Sequence, residues 1–386
     1  MKSVRLGIIG LGNMGSGHAD KVLSGAVHRC DLTAVCDPAP EKFVRFPKAK
    51  GFTRSEELIR SGTVDAVLIA TPHYDHTTIG IDALQHGLHV LVEKPISVHK
   101  ADCECLIAAH QNPKQIFAAM FNQRTDPYYQ KVRDLIQHGE LGRVRRVNWI
   151  ITNWFRTEAY YKLGSWRATW AGEGGGVLLN QCPHNLDLFQ WLFGMPYRVR
   201  GFCRFGRYHD IEVEDDVTAY FEYADGATAV FIASTGEAPG TNRLEVAAEN
   251  GRLVFENDVL LFTKNETPMT EFSRTATKAF ATPATTESKF TFPDHGGQHV
   301  EVLQNFVDAI LDGKPLIAPA SEGIHSVELA NAILFSSARN QTVDLPLDAA
   351  AYEKHLQEKF PTSRFKKNVP RKHGTVADDL ARSFNR

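Results

Sequence analysis

Two side chains in this sequence, Lys94 and His184, have surroundings suited to proton transfer. Lys94 lies in Glu93-Lys94-Pro95, which ends the apolar run beginning at His89. In a cleft, a lysine can act as acid, base or hydrogen-bond donor, because burial and nearby cations lower its pKa. His184 has an imidazole, which titrates near neutral pH and can take a proton from a hydroxyl group. From local sequence alone, a surface ion pair for Lys94 and a helix-cap or core position for His184 remain open.

The segment around His184 reads GGGVLLNQCPHNLD over residues 174–187. Its three glycines allow another group to approach the backbone closely. Pro183 is a favoured residue for a first helical turn, and apolar residues follow, so a buried helix is expected to begin here. Asn180 would then lie near His184 if the helix begins early.

A glycine-rich segment near the start, GLGNMG at residues 10–15, is typical of a dinucleotide-binding turn. Gly10 allows the tight turn, Gly12 lets a pyrophosphate approach, and Gly15 lets the helix pack closely on the strand. The helix N-terminus, with Asn13 and Met14, offers free N–H groups to phosphate oxygens. A purely structural turn is the alternative.

Asp37 follows the next apolar run, 22 residues after Gly15. A carboxylate at this place accepts hydrogen bonds from the adenosine ribose and repels a 2′-phosphate. Residues 38–40 read Pro-Ala-Pro, with no adjacent basic side chain to receive such a phosphate. We therefore expect NAD as the cofactor and regard NADP as less favoured; a cap or turn role is the alternative for Asp37.

Aromatic residues gather between 149 and 170, where four of the five tryptophans lie, with arginines between them. Aromatic faces suit the C–H face of a sugar ring, and arginine binds hydroxyls or a carboxylate. Trp154, Tyr160 and Trp166 border predicted loops and are candidates for substrate contact, together with Arg167. Core packing is the alternative, and it is favoured for Trp149, which lies within a predicted strand.

These residues need a framework, and residues 1–124 provide one by alternating strand and helix patterns. Repeated strand–helix–strand units indicate parallel strands with right-handed crossovers. We predict a doubly wound Rossmann-type sheet with strands near 4–9, 32–36, 64–70, 89–92 and 116–121 and a helix at 76–86. Ligands bind beyond the carboxyl ends of such strands, which places Lys94 near a nicotinamide.

From about residue 143 the pattern changes to that of an α+β domain with a mainly antiparallel, open-faced sheet. A long strand is predicted at 144–155, and two hairpins turn at 224–226 and at Asn250-Gly251. Helices near 298–312 and 323–338 are expected to cover one face of this sheet, and 264–292 is expected to be a loop. Alternation at Val217, Ala219 and Phe221 suggests that the other face pairs into a homodimer or homotetramer.

Composition is ordinary for a globular protein of 386 residues with a net charge of −2, which gives no support for a nucleic-acid partner. No apolar run reaches the roughly 18–20 residues that span a bilayer, and no signal-peptide pattern is evident, so no membrane partner and a cytoplasmic location are expected. Six scattered cysteines predict reduced thiols and no metal site. We divide the chain into an NAD-binding domain (1–124), a substrate-binding and oligomerisation domain (125–362) and a basic tail (363–386).

Taken together, these motifs resemble those of the Gfo/Idh/MocA family of oxidoreductases, which includes glucose–fructose oxidoreductase and inositol dehydrogenases. The resemblance covers roughly residues 1–345 and rests on GLGNMG, TPHYDH at 71–76, EKP at 93–95 and the GGG…H..D pattern at 174–187. It implies that Lys94 lies beside nicotinamide and substrate and that His184 is the acid or base. It further implies cofactor contacts near Thr71, His76 and Glu93, and substrate contacts for Arg124 and the Trp166-Arg167 pair.

One departure from the family pattern concerns Asn180, because many members have Asp four residues before the histidine. Asn cannot carry a charge, so His184 would lack a carboxylate that raises its pKa, and we expect a pKa near the free imidazole value of about 6.5. Relatives that oxidise a sugar 3-hydroxyl resemble this chain in having Asn, which favours C3 oxidation weakly.

The sequence therefore predicts an NAD-dependent oxidoreductase that transfers a hydride between nicotinamide and a carbinol carbon of a sugar, glycoside or polyol. Two alternatives stay open. One is a glycosidase that retains NAD and acts by transient oxidation and elimination. The other is a regulator that senses dinucleotide without catalysis, although the presence of both Lys94 and His184 argues against it.

Overall fold

The computed structural model describes residues 2–164 and 166–365, and they form two units, each built on its own β-sheet. The first unit has a parallel sheet of six strands in the order β3-β2-β1-β4-β5-β6. This arrangement confirms the predicted Rossmann-type fold. Its strands are β1 (Val4–Ile9), β2 (Cys30–Cys36), β3 (Lys50–Phe52), β4 (Ala66–Ile69), β5 (His89–Val92) and β6 (Phe117–Ala119).

Helices connect these strands and cover the two faces of the sheet. They are α1 (Asn13–Leu23), α2 (Ser55–Ile59), α3 (His73–Gln85) and α4 (Lys100–Ala109), with a short 3-10 helix at Pro40–Arg45. The four residues of β4 are all buried, as expected for a central parallel strand with helices on both sides. Because all six strands run parallel, the segments after β1, β2, β4 and β5 meet at one edge of the sheet.

The second unit contains a nine-stranded, mainly antiparallel sheet in the order β14-β13-β12-β11-β7-β10-β9-β8-β15. Both predicted hairpins are present, as β9–β10 and β11–β12. The strands are β7 (Val144–Ile151), β8 (Arg198–Phe205), β9 (Glu214–Glu222), β10 (Thr228–Ser234), β11 (Asn242–Ala248), β12 (Gly251–Glu256), β13 (Val259–Asn265), β14 (Thr285–Phe290) and β15 (Val343–Asp344). The open-faced α+β domain is thus confirmed.

The remaining helices are α5 (Pro127–Gln137), α6 (Glu158–Tyr161), α7 (Pro183–Phe193), α8 (Met269–Thr275), α9 (Gln298–Asp312), α10 (Gly323–Arg339) and α11 (Ala349–Gln357). Helices α7 and α10 pack on the inner face of the second sheet. There, the ring of Phe189 on α7 lies 5.1 Å from that of Phe221 on β9. Val217, Ala219 and Phe221 are all fully buried on this face. The alternation that we assigned to subunit pairing therefore serves the core.

Two further predictions about the second unit need correction. The segment 264–292 is not all loop, because α8 and the edge strand β14 lie in it. Helix α9 does not cover the second sheet; its residues Val302, Leu303, Phe306 and Val307 join the hydrophobic core of β1 and α1. An amphipathic helix shows that it needs an apolar partner but not which sheet provides it.

The predicted basic tail lies mostly outside the described residues, which end at 365. Its first residues are attached to the second unit, because Arg364 pairs with Asp210 and Ser363 donates a hydrogen bond to Glu212. Among the helices described, none is both long and apolar enough to cross a membrane.

Candidate active site at the edge of the first sheet

The glycine-rich turn after β1 has the geometry that a dinucleotide requires. Gly10 has a positive φ of 94°, and a Cβ there would lie 2.6 Å from the carbonyl oxygen of Ala70. A Cβ on Gly15 would lie 1.8 Å from the carbonyl oxygen of Gly10, so the helix can pack this closely only with glycine. Gly12 instead faces open space, with nothing within 4 Å.

Helix α1 begins at Asn13, and no side chain caps its first N–H groups. Together with the partial positive charge of a helix N-terminus, this leaves the start of α1, including Asn13 and Met14, able to receive a pyrophosphate. The turn therefore fits the cofactor that its sequence predicts.

Asp37 follows β2 at the same edge and is almost fully buried. Its Oδ2 accepts a hydrogen bond from the Leu11 N–H at 2.9 Å, which ties it to the glycine-rich turn. The same oxygen lies 2.7 Å from the Nζ of Lys42. We expected no basic side chain next to Asp37, and this is wrong, because the 3-10 helix at Pro40–Arg45 turns Lys42 back towards the carboxylate.

Of the three residues that we expected to line the cofactor, His76 and Glu93 have side chains bound within the protein, and Thr71 does not. His76 is buried, with its ring nitrogens 2.9 Å from the carbonyl oxygen of Thr71 and 2.8 Å from that of Pro95, so it holds the loops after β4 and β5 together. Glu93 Oε1 lies 2.6 Å from the Nε2 of the buried His18. The hydroxyl of Thr71 is buried without a protein partner among the residues described, and a bound ligand would satisfy it.

Lys94 follows β5 and reaches from the first unit to the second. Its Nζ donates a hydrogen bond to the backbone carbonyl of Asn180 at 2.8 Å. Burial lowers the pKa of the Lys94 ammonium below its usual value, and the nearby cations of Arg167 and Arg156 act in the same direction. The carboxylates of Glu93 and Glu173 oppose this shift. Lys94 is thus placed where the two units meet, in a strongly charged environment.

His184 lies in the first turn of α7 and is 6% exposed. Burial, followed by the charge of Lys94, lowers the pKa of its imidazole well below the usual value. This contradicts the expectation of a pKa near that of a free imidazole, because the absence of a charge at Asn180 is outweighed by desolvation. His184 is therefore neutral at pH 7, and its Nδ1 has no partner within the described ranges.

Helix α6 and the loop between α6 and α7 carry further candidate side chains. The Tyr160 hydroxyl donates to Asn180 Oδ1 at 3.0 Å and accepts a hydrogen bond from Arg167 at 3.0 Å. The Asn180 amide donates to the carboxylate of Glu173. Tyr160, Arg167, Asn180, Lys94 and Glu173 thus form one connected group.

The start of α3 holds this loop from the side of the first sheet. The ring of His73 meets that of Trp166 edge-on at 5.5 Å. The Tyr74 hydroxyl donates to the carbonyl of Trp170 at 2.9 Å. Trp154 is partly buried and has its Nε1 3.4 Å from Asn185 Oδ1, one residue after His184. The predicted aromatic residues are therefore linked to neighbours of the two candidates, Trp154 to Asn185 and Tyr160 to Asn180.

Arg124 has a different position from the one that we predicted. It is 1% exposed, and it donates two hydrogen bonds to Asp187, one turn after His184 on α7. A third hydrogen bond goes to Glu322 at 2.5 Å. With its donors committed to these carboxylates, Arg124 connects the end of the first sheet to α7 and is not free for substrate.

Two acidic residues escaped the sequence analysis. Glu214 on β9 accepts hydrogen bonds from the N–H groups of Gly176 and Leu178, and burial raises its pKa to about 7. Glu173 is 2% exposed beside the glycines. The only sequence signal for Glu173 was its position directly before three glycines. Among the residues described, no group of three or more His, Cys, Asp or Glu is arranged to hold a metal ion.

Comparison with known proteins defines the class to which this fold and site belong. A profile described as the oxidoreductase family with an NAD-binding Rossmann fold matches residues 4–121. The profile of the Gfo/Idh/MocA C-terminal domain matches residues 129–254. The chain therefore belongs to the Gfo/Idh/MocA family of oxidoreductases.

Curated relatives include inositol dehydrogenases. Inositol 2-dehydrogenase of Corynebacterium glutamicum is 28% identical over 198 residues, which is 50% of this chain and 55% of that enzyme. The match thus spans about half the length of that relative. Myo-inositol 2-dehydrogenase of Thermotoga maritima is 23% identical over 356 residues, covering 89% of this chain and 98% of that enzyme.

Solved structures share the fold at low sequence identity. The WlbA dehydrogenase of Chromobacterium violaceum, in complex with NADH and UDP-GlcNAcA, superposes with a TM-score of 0.77 at 24% identity, covering 90% of this chain and 97% of the other. Levoglucosan dehydrogenase, in complex with NADH and L-sorbose, gives a TM-score of 0.74 at 20% identity, covering 90% and 100%.

Proposed function

We propose that this protein is an NAD-dependent dehydrogenase that oxidises a secondary hydroxyl of a sugar, glycoside or polyol, or reduces the corresponding ketone. One observation carries the proposal: Lys94, beyond the carboxyl edge of the first sheet, donates a hydrogen bond to the backbone carbonyl of Asn180, four residues before the buried His184 of the second unit. A hydrogen-bond donor and a proton acceptor are thus both available between the two units, beside the glycine-rich turn.

The residues divide the work of the reaction between them. When bound, NAD supplies the hydride acceptor or donor. The start of α1 would hold its pyrophosphate and Asp37 its adenosine ribose. His184, neutral at pH 7, takes the proton of the substrate hydroxyl in oxidation. Lys94 donates a hydrogen bond to the same oxygen and stabilises its developing negative charge.

The surroundings support a substrate with several hydroxyl groups. Trp154, Tyr160 and Trp166 offer flat apolar faces, and Arg167 and Asn180 offer polar groups among them. The names of the similar proteins agree with this class, because they include inositol dehydrogenases and a levoglucosan dehydrogenase. We retain oxidation at C3 of a sugar as the finer proposal, on the basis of Asn180.

A substrate panel tests this function. Purified protein is mixed with NAD and, in turn, with inositols, free sugars, glycosides and uronates, and NADH is followed by its absorbance. Lys94→Ala and His184→Ala should each lower turnover on the order of 10²–10⁴-fold. NAD affinity, measured by calorimetry, should change little because neither residue contacts the glycine-rich turn.

The same panel distinguishes the alternatives. Release of the aglycone from a glycoside without accumulation of NADH would identify an NAD-retaining glycosidase. Binding of NAD without turnover of any compound would favour a dinucleotide sensor. If Lys94→Ala and His184→Ala retain wild-type turnover, the roles proposed for these residues are wrong.

A further inference from the structure

Glu173 is a buried acid whose side chain is committed to two neighbours. One carboxylate oxygen accepts a hydrogen bond from the backbone N–H of Ala168 at 2.6 Å. The other accepts a hydrogen bond from the side-chain amide of Asn180. With 2% of the residue exposed, its ionised form depends on these contacts and on nearby cations.

The orientation of the Asn180 amide follows from its other neighbours. Its Oδ1 accepts hydrogen bonds from the Tyr160 hydroxyl at 3.0 Å and from Gln181 Nε2 at 2.9 Å. Both donors face the oxygen, so the amide nitrogen must face Glu173. A carboxylate at position 180 would instead place two acidic oxygens against each other, at a cost that one of them would avoid only by protonation.

Several charged groups surround this pair. The cations of Arg167 and Lys94 lower the pKa of Glu173, opposing the larger effect of burial, which raises it. Glu173 in turn raises the pKa of Lys94, and it also acts on Glu214 and Tyr161. The Nδ1 atom of His73 lies 3.4 Å from the backbone carbonyl oxygen of Glu173, so this contact involves the main chain of Glu173 and leaves its carboxylate out. The link to the site is direct, since the Asn180 carbonyl accepts the hydrogen bond of Lys94.

We propose that Glu173 is the positioning carboxylate of this site: it supplies the negative charge beside Lys94 and orients Asn180, and position 180 is neutral because the charge is held at 173. This inference deepens the proposed function and rests on it for the role of Lys94. It predicts that the negative charge can be moved from position 173 to position 180. The protein should be stable and active with one acid at either position, and impaired with two acids or with none.

A double-mutant cycle tests the exchange through Glu173→Gln, Asn180→Asp and the combination of the two. Without substrate, Asn180→Asp should lower the melting temperature at pH 8 by at least about 5 °C. The double variant should regain most of this lost melting temperature. With substrate, each single variant should lose on the order of 10-fold in kcat/KM or more, and the double variant should regain most of the loss.

The pH profile separates positioning from mere support of the loop. In Glu173→Gln, the alkaline limb of kcat/KM should move to lower pH, because Lys94 loses a carboxylate that raises its pKa. The limb should return in the double variant. As a matched control, Glu212→Gln removes a different acid that binds the same loop at Trp170. Adding Glu212→Gln to Asn180→Asp should restore neither stability nor activity.

Additive losses in the double variant, or a Glu173→Gln variant with unchanged melting and unchanged pH profile, would overturn the proposal. If Glu173→Gln alone does not fold, a folded double variant still supports the exchange, whereas a double variant that also fails to fold contradicts it. The melting cycle needs no substrate. It therefore stays informative even if the wild type oxidises nothing in the panel, a result that would refute the proposed function instead.

Discussion

The guanidinium of Arg124 and the carboxylate of Asp187 are joined by two parallel hydrogen bonds of 2.7 and 2.6 Å, and both residues are almost fully buried. Arg124 follows the last strand of the first sheet, and Asp187 lies one helical turn after His184. The pair therefore sets the position of His184 relative to the first unit. Such a bidentate geometry adds directional precision to the attraction of the charges.

Removing one partner of this pair should destabilise the protein. Asp187→Asn or Arg124→Met leaves a buried charge with incomplete compensation, and we expect the free energy of unfolding to fall by about 3–5 kcal/mol. Urea denaturation measures this loss. Lys131→Ala, which breaks a partly exposed ion pair with Asp134, is the matched control and should cost at most about 1 kcal/mol. If Arg124→Met instead raises KM at unchanged stability, Arg124 binds substrate directly.

Oxidation should remain active below the pH at which a free imidazole protonates. The base His184 must be neutral, and its folded-state pKa lies well below the usual value. As pH falls, kcat/KM should therefore stay constant through about 6.5 and decrease only in more acidic solution. Chemistry must limit the rate, so a deuterated substrate should first show an isotope effect. An acidic limb centred near 6.5 would contradict the burial of this imidazole.

Lys42 should weaken the discrimination between NAD and NADP. Its ammonium lies 2.7 Å from Asp37 Oδ2 and offsets the repulsion between that carboxylate and a 2′-phosphate. Lys42→Ala should weaken NADP binding on the order of 10-fold and change NAD binding by less, since the charge contributes roughly 1–2 kcal/mol at a partly exposed site. Asp37→Ala should relax the preference for NAD.

Calorimetric titration with each dinucleotide measures both effects. As a control, Lys48→Ala removes an exposed lysine from the same segment between β2 and β3, and it should leave both affinities unchanged. Equal loss of NAD and NADP affinity in Lys42→Ala would show that Lys42 only holds the local structure.

The outer face of the second sheet should form a contact between subunits. Ile150, Val230, Ile232 and Tyr220 are neighbours on adjacent strands of this face and are all partly exposed. We expect a homodimer or homotetramer, and Ile232→Lys should dissociate it because a charge would be buried in an apolar contact. Light scattering measures the mass. Val44→Lys, at an 82% exposed position of the first unit, is the control and should leave the mass of the oligomer unchanged. A monomeric wild type would contradict the expectation.

Much of the fold could be predicted from local patterns. In GLGNMG, Gly10 is required by its positive φ and Gly15 by the close approach of the Gly10 carbonyl. Gly251, which follows the turn of the second hairpin, also has a positive φ that favours glycine. The destination of α9 could not be predicted, because its apolar stripe at Leu303 and Phe306 is compatible with either sheet. Long-range partners of this kind depend on the whole topology.

The candidate site was predictable where chemistry is tied to a motif, as for Lys94 and His184, and not where it depends on contacts across the chain. Lys42 lies only five residues from Asp37. Because Pro-Ala-Pro separates the two, the sequence did not reveal that the chain turns and brings Lys42 back to the carboxylate. Arg124 was assigned to substrate on the resemblance to the family, and spacing did not reveal its partner Asp187, which lies 63 residues away. The pKa of His184 depends on its burial, which spacing alone does not report.

The packing of α9 also has a consequence during synthesis. The last strand of the first sheet ends at Ala119, and α9 begins at Gln298, so almost 180 residues separate them. At roughly 5–20 residues per second, the ribosome needs about 10–35 s to deliver the helix. During that interval, Leu6 and Ile8 of the nascent sheet lack Leu303 and Phe306, which belong to the same hydrophobic core in the finished protein. A chaperone that binds exposed apolar strands would have its longest opportunity here, and a fragment ending near residue 124 would remain in that condition permanently.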